Sequence, residues 1–226
     1  MSAGKRQIRT IGRLTAPPAR WHLLGMALPF GGLPIRFDPV SGPSRWRSLV
    51  APGAGYSPAG PLLEFGRQAL LQYGWSVRQL WWDVPEQLAE TERLRWVCDQ
   101  VDAAAAEEQA VPPQPERWLM MGKSLGSRAV CSGLPANGYI LFTPLLADDD
   151  VISGIQAAVH EDVPVLLVGG TADRAWSGSA ARRFGCDVVE IDGADHGMTI
   201  PNDAVGTAQV HAEVAVAVDR FLRAIS

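Results

Sequence analysis

Two rhythms of apolar residues alternate along this chain. Short, nearly continuous apolar runs such as "WRSLVA", "RWLMMG", "GYILFTPLL" and "VPVLLVGG" give way to stretches where apolar residues recur every three or four positions. The first kind reads as strands covered on both faces, the second as helices with one buried stripe. In order, the pattern predicts two short strands, "WHLLGMAL" and "LPIRFDPV", separated by a turn at Phe30-Gly31-Gly32 and forming an antiparallel edge. Strand "WRSLVA" then runs into the loop Pro52-Gly53-Ala54-Gly55 and a helix whose buried face carries Leu62, Phe65, Ala69 and Leu70, with Gly74 as its stop. Strand "WSVRQLWWDV" precedes a long helix from about Pro85 to Ala110, with Leu94, Val97, Cys98, Val101 and Ala105 on one side. After the break "VPPQP", strand "RWLMMG" feeds helix "SLGSRAVCSGL", "GYILFTPLL" feeds helix "DVISGIQAAVH", and "VPVLLVGG" feeds a short helix "SGSAARRFG". "CDVVEID" is the last strand and "GTAQVHAEVAVAVDRFLRAI" the closing helix.

Strands separated by helices of this length pair in parallel through right-handed crossovers. The expected class is therefore α/β, a doubly wound and mostly parallel sheet flanked by helices. In such sheets ligands bind at the loops leaving the carboxyl ends of the strands.

Composition narrows the picture without changing it. A chain of 226 residues, 47% apolar and 19% charged, supports one core, so residues 21–226 are expected to form a single domain. Lys5, Arg6, Arg9, Arg13 and Arg20 make residues 1–20 basic with no carboxylate among them, which reads as a tail or leader. The net charge of -4 gives no electrostatic reason to expect nucleic acid or an anionic membrane as partner. No apolar run reaches the roughly 18 residues of a membrane span. "WHLLGMALPFGG" is broken by His22, Gly25 and Pro29 and does not read as a signal peptide, so a cytoplasmic location is expected. Cys98, Cys131 and Cys186 match neither a disulfide framework nor a zinc pattern and are expected to be buried small hydrophobes. Trp81 and Trp82, at a strand end, could line a site or an interface.

The chemistry gathers on three loops. Gly122-Lys123-Ser124-Leu125-Gly126 places a serine between glycines where an apolar strand meets a helix. A nucleophile there must stand out of the sheet on a sharp turn, and the flanking glycines remove the Cβ atoms that would collide. The N–H of Leu125 could then stabilise a developing oxyanion. The alternative reading is an ordinary helix cap. A serine nucleophile needs a histidine base, which in turn needs a carboxylate. Asp173 follows strand "VPVLLVGG", and His196 follows the last strand in "IDGADHGMTI". The other histidines fall in a strand (His22), at a helix end (His160) and within the closing helix (His211). Asp192 and Asp195 are rival carboxylates. Asp195 is next in sequence to the ring it would orient, and Asp192 lies closer to the strand end, so Asp173 ranks first.

On these residues the chain resembles the α/β-hydrolase superfamily: Gly122-Lys123-Ser124-Leu125-Gly126 as nucleophile elbow, Asp173 after "VLLVGGTAD", His196 in "ADHG", in the order nucleophile, acid, base. Its small size is similar to compact members without a large lid, the dienelactone-hydrolase-like group, though dienelactone hydrolases proper carry cysteine where Ser124 stands. The resemblance implies a serine hydrolase of carboxylesterase type, acting on an ester, thioester or related acyl bond of a small molecule. No metal or organic cofactor would be required. It assigns the second oxyanion donor to the N–H of Ala54, where Pro52 replaces the histidine common in relatives, and it sets Ser127 where many relatives have glycine. Tyr56, Leu125, Phe142, Leu145, Trp176 and Met198 stand beside these loops as candidate pocket residues. Two other functions stay open: a non-catalytic binding module on the same fold, and an acyltransferase using the same triad.

Overall fold

The computed structural model describes residues 35–226. The basic tail, the strand expected at "WHLLGMAL" and the turn at Phe30-Gly31-Gly32 lie outside the described residues.

Seven strands form one sheet in the order β1-β3-β2-β4-β5-β6-β7. They are β1 (Ile35–Phe37), β2 (Trp46–Ala51), β3 (Ser76–Gln79), β4 (Arg117–Lys123), β5 (Tyr139–Phe142), β6 (Val165–Gly170) and β7 (Asp187–Ile191). All neighbours pair in parallel except β1, which runs antiparallel to β3. The helices are α1 (Pro61–Gln72), α2 (Glu90–Gln109), α3 (Asp149–His160), α4 (Gly178–Arg183) and α5 (Ala204–Ile225), with a 3-10 helix over Ser124–Cys131. Among the described residues no helix is long and apolar enough to cross a membrane.

The central strands are apolar on both faces because each face has its own core. Leu49, Trp118, Met120, Leu141 and Leu167 point to one side, where they meet Val97 and Val101 of α2 and Val151 and Ile155 of α3. Their neighbours Val50, Leu119, Met121, Ile140, Phe142 and Val168 point to the other, against Leu62, Leu63 and Leu70 of α1 and Val210, Val214, Val218 and Phe221 of α5. This is the two-residue period of a strand realised twice, once per face. Each such side chain contributes roughly 1.5–3 kcal/mol by leaving water.

Several expectations are corrected. Pro85–Leu88 form a turn closed by the N–H of Leu88 on the Pro85 carbonyl, and α2 begins only at Glu90, where Glu92 Oε2 accepts the Ala89 N–H. Phe65 is 43% exposed, since the buried stripe of α1 runs through Leu62, Leu63, Gly66 and Leu70 instead. The three cysteines are free and only half-buried. Trp82 is buried against Trp96, with ring centres 5.2 Å apart, so its indole is a core residue rather than part of a site.

Candidate active site

The register of the parallel strands sets their carboxyl ends side by side. Ala51 pairs with Gly122, Lys123 with Phe142, Phe142 with Val168, and Gly170 with Ile191. The loops that follow β2, β4, β5, β6 and β7 therefore emerge along one edge, and Ala54, Ser124, Thr143, Asp173 and His196 all lie on them.

Ser124 is the first residue after β4 and has φ 51°, in the left-handed region. A non-glycine residue held there costs of order 1–3 kcal/mol and persists only where its surroundings fix it. The glycines of the pentapeptide show what fixes it. A Cβ on Gly122 would lie 2.4 Å from the Gly126 carbonyl oxygen, and one on Gly126 would lie 2.2 Å from that of Ala51 and 2.9 Å from that of Pro52. The turn is thus wedged against the backbone that leads into the loop of Ala54. Gly126→Ala is expected to lower stability by about 1–3 kcal/mol, because the atoms it meets are backbone and cannot swing aside. A chemical denaturation curve measures this, and a variant as stable as wild type would contradict the wedge.

The segment after Ser124 is a 3-10 helix and not the α-helix expected from the sequence. The fully buried Ser127 hydroxyl donates to the Ser124 carbonyl at 2.7 Å, three residues back, and accepts the N–H of Leu145 at 3.2 Å. The side chain that stands at the third glycine position therefore fastens the elbow to the loop after β5.

Three side chains from three loops then meet. His196 Nε2 lies 2.8 Å from Ser124 Oγ, and His196 Nδ1 lies 2.8 Å from Asp173 Oδ2. A carboxylate can only accept, so Nδ1 carries the imidazole proton and Nε2 is left to accept from the serine hydroxyl. The Asp173 side chain is 3% exposed and that of His196 40%, which suits a buried orienting group beneath an accessible base. Asp173 Oδ1 also accepts the N–H of Ala175 at 2.8 Å.

The rival carboxylates are occupied elsewhere. Asp192 accepts the hydroxyl of Thr171. Asp195 accepts from Gly197 N, Thr199 N and Thr199 Oγ1 at 2.8–2.9 Å, which builds the turn carrying His196. Burial works to raise the Asp195 carboxyl, but the bonds from Thr199 and Gly197 outweigh it and hold the group below its ordinary value.

Lys123, inside the pentapeptide, is the residue whose role the sequence left unread. The residue is only 3% exposed. Nζ donates to Thr143 Oγ1 at 3.3 Å and to the His196 carbonyl at 3.0 Å, and it lies 4.9 Å from the centre of the Tyr56 ring. Burial lowers the ammonium to about 8 despite the opposing pull of Asp173 and Asp195.

The candidate pocket residues divide. Phe142 and Met198 are fully buried in the core and present no surface to a ligand in this conformation. Trp176 lies against Gly169 and donates its indole N–H to Glu190 Oε2 at 2.7 Å, so it braces the loop of Asp173 from below. Half-buried Tyr56 turns back on α1, its hydroxyl accepting the N–H of Leu62 at 3.1 Å. Leu125 is buried as well. Ala54 is exposed, and the loop bearing it runs beside the elbow: a Cβ on neighbouring Gly53 would sit 3.4 Å from Ser124 Cβ. Leu145 lines an open cavity of about 460 Å³, with Leu94, Arg128 and Ala175 among its walls.

Neither a protein-family profile nor a curated protein matches the sequence significantly. Solved structures do. Est1E from Butyrivibrio proteoclasticus aligns with a TM-score of 0.61 at 15% identity, over 84% of this chain and 92% of that one. XC6422 from Xanthomonas campestris, described as an α/β serine hydrolase without a lid, aligns at 0.62 and 16% identity over 84% and 87%. An α/β serine hydrolase homologue from Coxiella burnetii aligns at 0.64 and 15% identity over 83% and 89%. The seven-stranded, mostly parallel sheet with its flanking helices agrees with these likenesses, and the chain has the α/β-hydrolase fold.

Proposed function

We propose that this chain is a serine hydrolase that cleaves a carboxylic ester, thioester or related acyl bond. The observation that carries this reading is the continuous pair of 2.8 Å contacts from Asp173 through His196 to Ser124. Ser124 Oγ attacks the acyl carbon as its proton passes to His196 Nε2, and the backbone N–H groups of Leu125 and Ala54 hold the oxyanion. The tetrahedral centre collapses as His196 gives that proton to the departing alkoxide or thiolate. Water then attacks the acyl-serine, losing a proton to Nε2. Collapse returns the proton to Ser124 Oγ and releases the carboxylic acid. Asp173 fixes the imidazole tautomer throughout and balances its transient positive charge.

The cavity walled by Leu145 and Ala175 is the proposed seat for part of the substrate, since the Ala175 N–H bonds the Asp173 carboxylate and the Leu145 N–H bonds Ser127, three residues after the nucleophile. A structure of Est1E holds ferulic acid, which makes small aromatic acyl esters a rational start for a substrate panel.

The direct test is labelling of the purified protein by a fluorophosphonate, read by intact mass. Wild type is expected to take one adduct and Ser124→Ala none. Folded wild type that takes no adduct, or a variant that takes the same adduct, would overturn the assignment of Ser124.

A further inference from the structure

We propose that Lys123 is a positioning residue of this site: its buried ammonium ties the loop carrying His196 to the ends of β4 and β5 and so keeps the imidazole in line between Ser124 and Asp173. The inference rests on the reading of Ser124, Asp173 and His196 as the catalytic set.

The geometry is specific. Lys123 is the last residue of β4, immediately before Ser124, so any shift of its backbone is a shift of the nucleophile. Its Nζ reaches sideways to Thr143, just past the end of β5, and across to the main-chain carbonyl of His196 itself. Thr143 has φ 41° and Met198 has φ 56°, both in the left-handed region beside Ser124 at 51°. A β-branched residue in that region is strained and needs outside support. The ammonium bonds Thr143 directly and grips the loop of Met198 through the His196 carbonyl. Two of its three N–H groups are accounted for by these acceptors, and the Tyr56 ring offers an electron-rich face to the cation.

A neutral side chain of the same length would fill this space without the cost of burying a charge. A lysine is called for here if the charge itself acts on its surroundings. The titratable groups around it are Tyr56 from the loop after β2, Asp173 from the loop after β6, and Asp195 and His196 from the loop after β7. The two carboxylates draw the ammonium toward the loops of the acid and the base. Deprotonation on the alkaline side, at about 8, removes that attraction and the charge assistance of both hydrogen bonds. The triad should then loosen as pH rises through about 8, with the ammonium form the competent one.

The test compares wild type, Lys123→Met and Thr143→Val in three readouts: rate of fluorophosphonate labelling against pH, kcat and KM on a p-nitrophenyl ester, and the low-field NMR resonance of the proton between His196 and Asp173. In wild type, labelling and kcat are expected to fall as pH rises through about 8. Lys123→Met should lower kcat by about 10–100-fold with KM unchanged, as misplacement of a reacting group does, and should lack that alkaline fall. Thr143→Val removes an acceptor that favours the ammonium, so its fall should move to lower pH. Lys123→Met with wild-type rates and a wild-type profile overturns the proposal. If that variant does not fold, an unmoved profile in Thr143→Val overturns it instead. If wild type takes no label, the nucleophile assignment fails separately, and the resonance decides for Lys123: lost or displaced in Lys123→Met supports the tie, unchanged refutes it.

Discussion

His196→Ala is expected to lower kcat by about 10⁴–10⁶-fold while the protein stays folded, because one imidazole takes the serine proton in the attack and returns it to the leaving group. Asp173→Asn should cost about 10⁴-fold. An amide can donate to Nδ1, which would stabilise the tautomer with the proton on Nε2 and leave no lone pair facing Ser124. The 2.8 Å spacing of both contacts makes this a change in proton placement without a change in shape. The two losses should not add: once the base is gone, its orienting group has nothing to orient. Steady-state rates on an activated ester for the two single variants and the double variant measure this, with denaturation midpoints as control. A double variant far below His196→Ala alone would show that Asp173 acts on something other than the imidazole.

Glu108→Ala is expected to be among the most damaging single changes to stability, about 3–5 kcal/mol. Glu108 is 2% exposed, at the end of α2, and three guanidinium groups converge on it: Arg47 Nε and Arg78 Nη1, each at 3.3 Å, and Arg36 Nη1 at 3.5 Å. Arg36 and Arg78 have second carboxylates in Asp38 and Glu107. Among the described residues Arg47, 1% exposed on β2, otherwise bonds only the carbonyls of Val111 and Pro113, through its Nη2. Removing Glu108 takes away the stronger counter-charge of that buried cation, leaving it the weaker pull of Asp38 against the like charge of Arg36. The urea midpoint should fall with little change in slope. Arg47→Met combined with Glu108→Leu should recover most of the loss, since an apolar pair of similar size avoids the desolvation of both ions. A double variant as unstable as the single one would show that the remaining arginines also depend on Glu108.

Lys123 and Glu108 illustrate what a sequence conceals. Both sit in runs where a charged residue reads as solvated, Lys123 at a strand end and Glu108 in the polar tail of a helix. Burial of a charge depends on which partners other elements bring to it, and those partners are distant along the chain: Thr143 and His196 for one, Arg36, Arg47 and Arg78 for the other. Two of the pocket candidates are hidden for a related reason. Phe142 and Met198 do flank the right loops, but strand alternation and loop turns aim them into the core, and proximity along the chain carries no information on direction. The 3-10 helix after Ser124 was also hidden, because it goes with a hydroxyl bond from Ser127 to Ser124 and with contact against β2 that no periodicity encodes.

By itself the sequence determined the α/β order of elements, the parallel pairing that follows from strands separated by helices, and the three residues worth testing, since glycine spacing and position after a strand are local properties. Tertiary structure alone decided that Asp173 and not Asp192 or Asp195 faces His196, that Lys123 lies beneath them, and that Glu108 is an internal charge. Hydrogen-bond partners and burial arise only when strands far apart in the chain are set in register, and the short-range pattern of a sequence does not contain those distances.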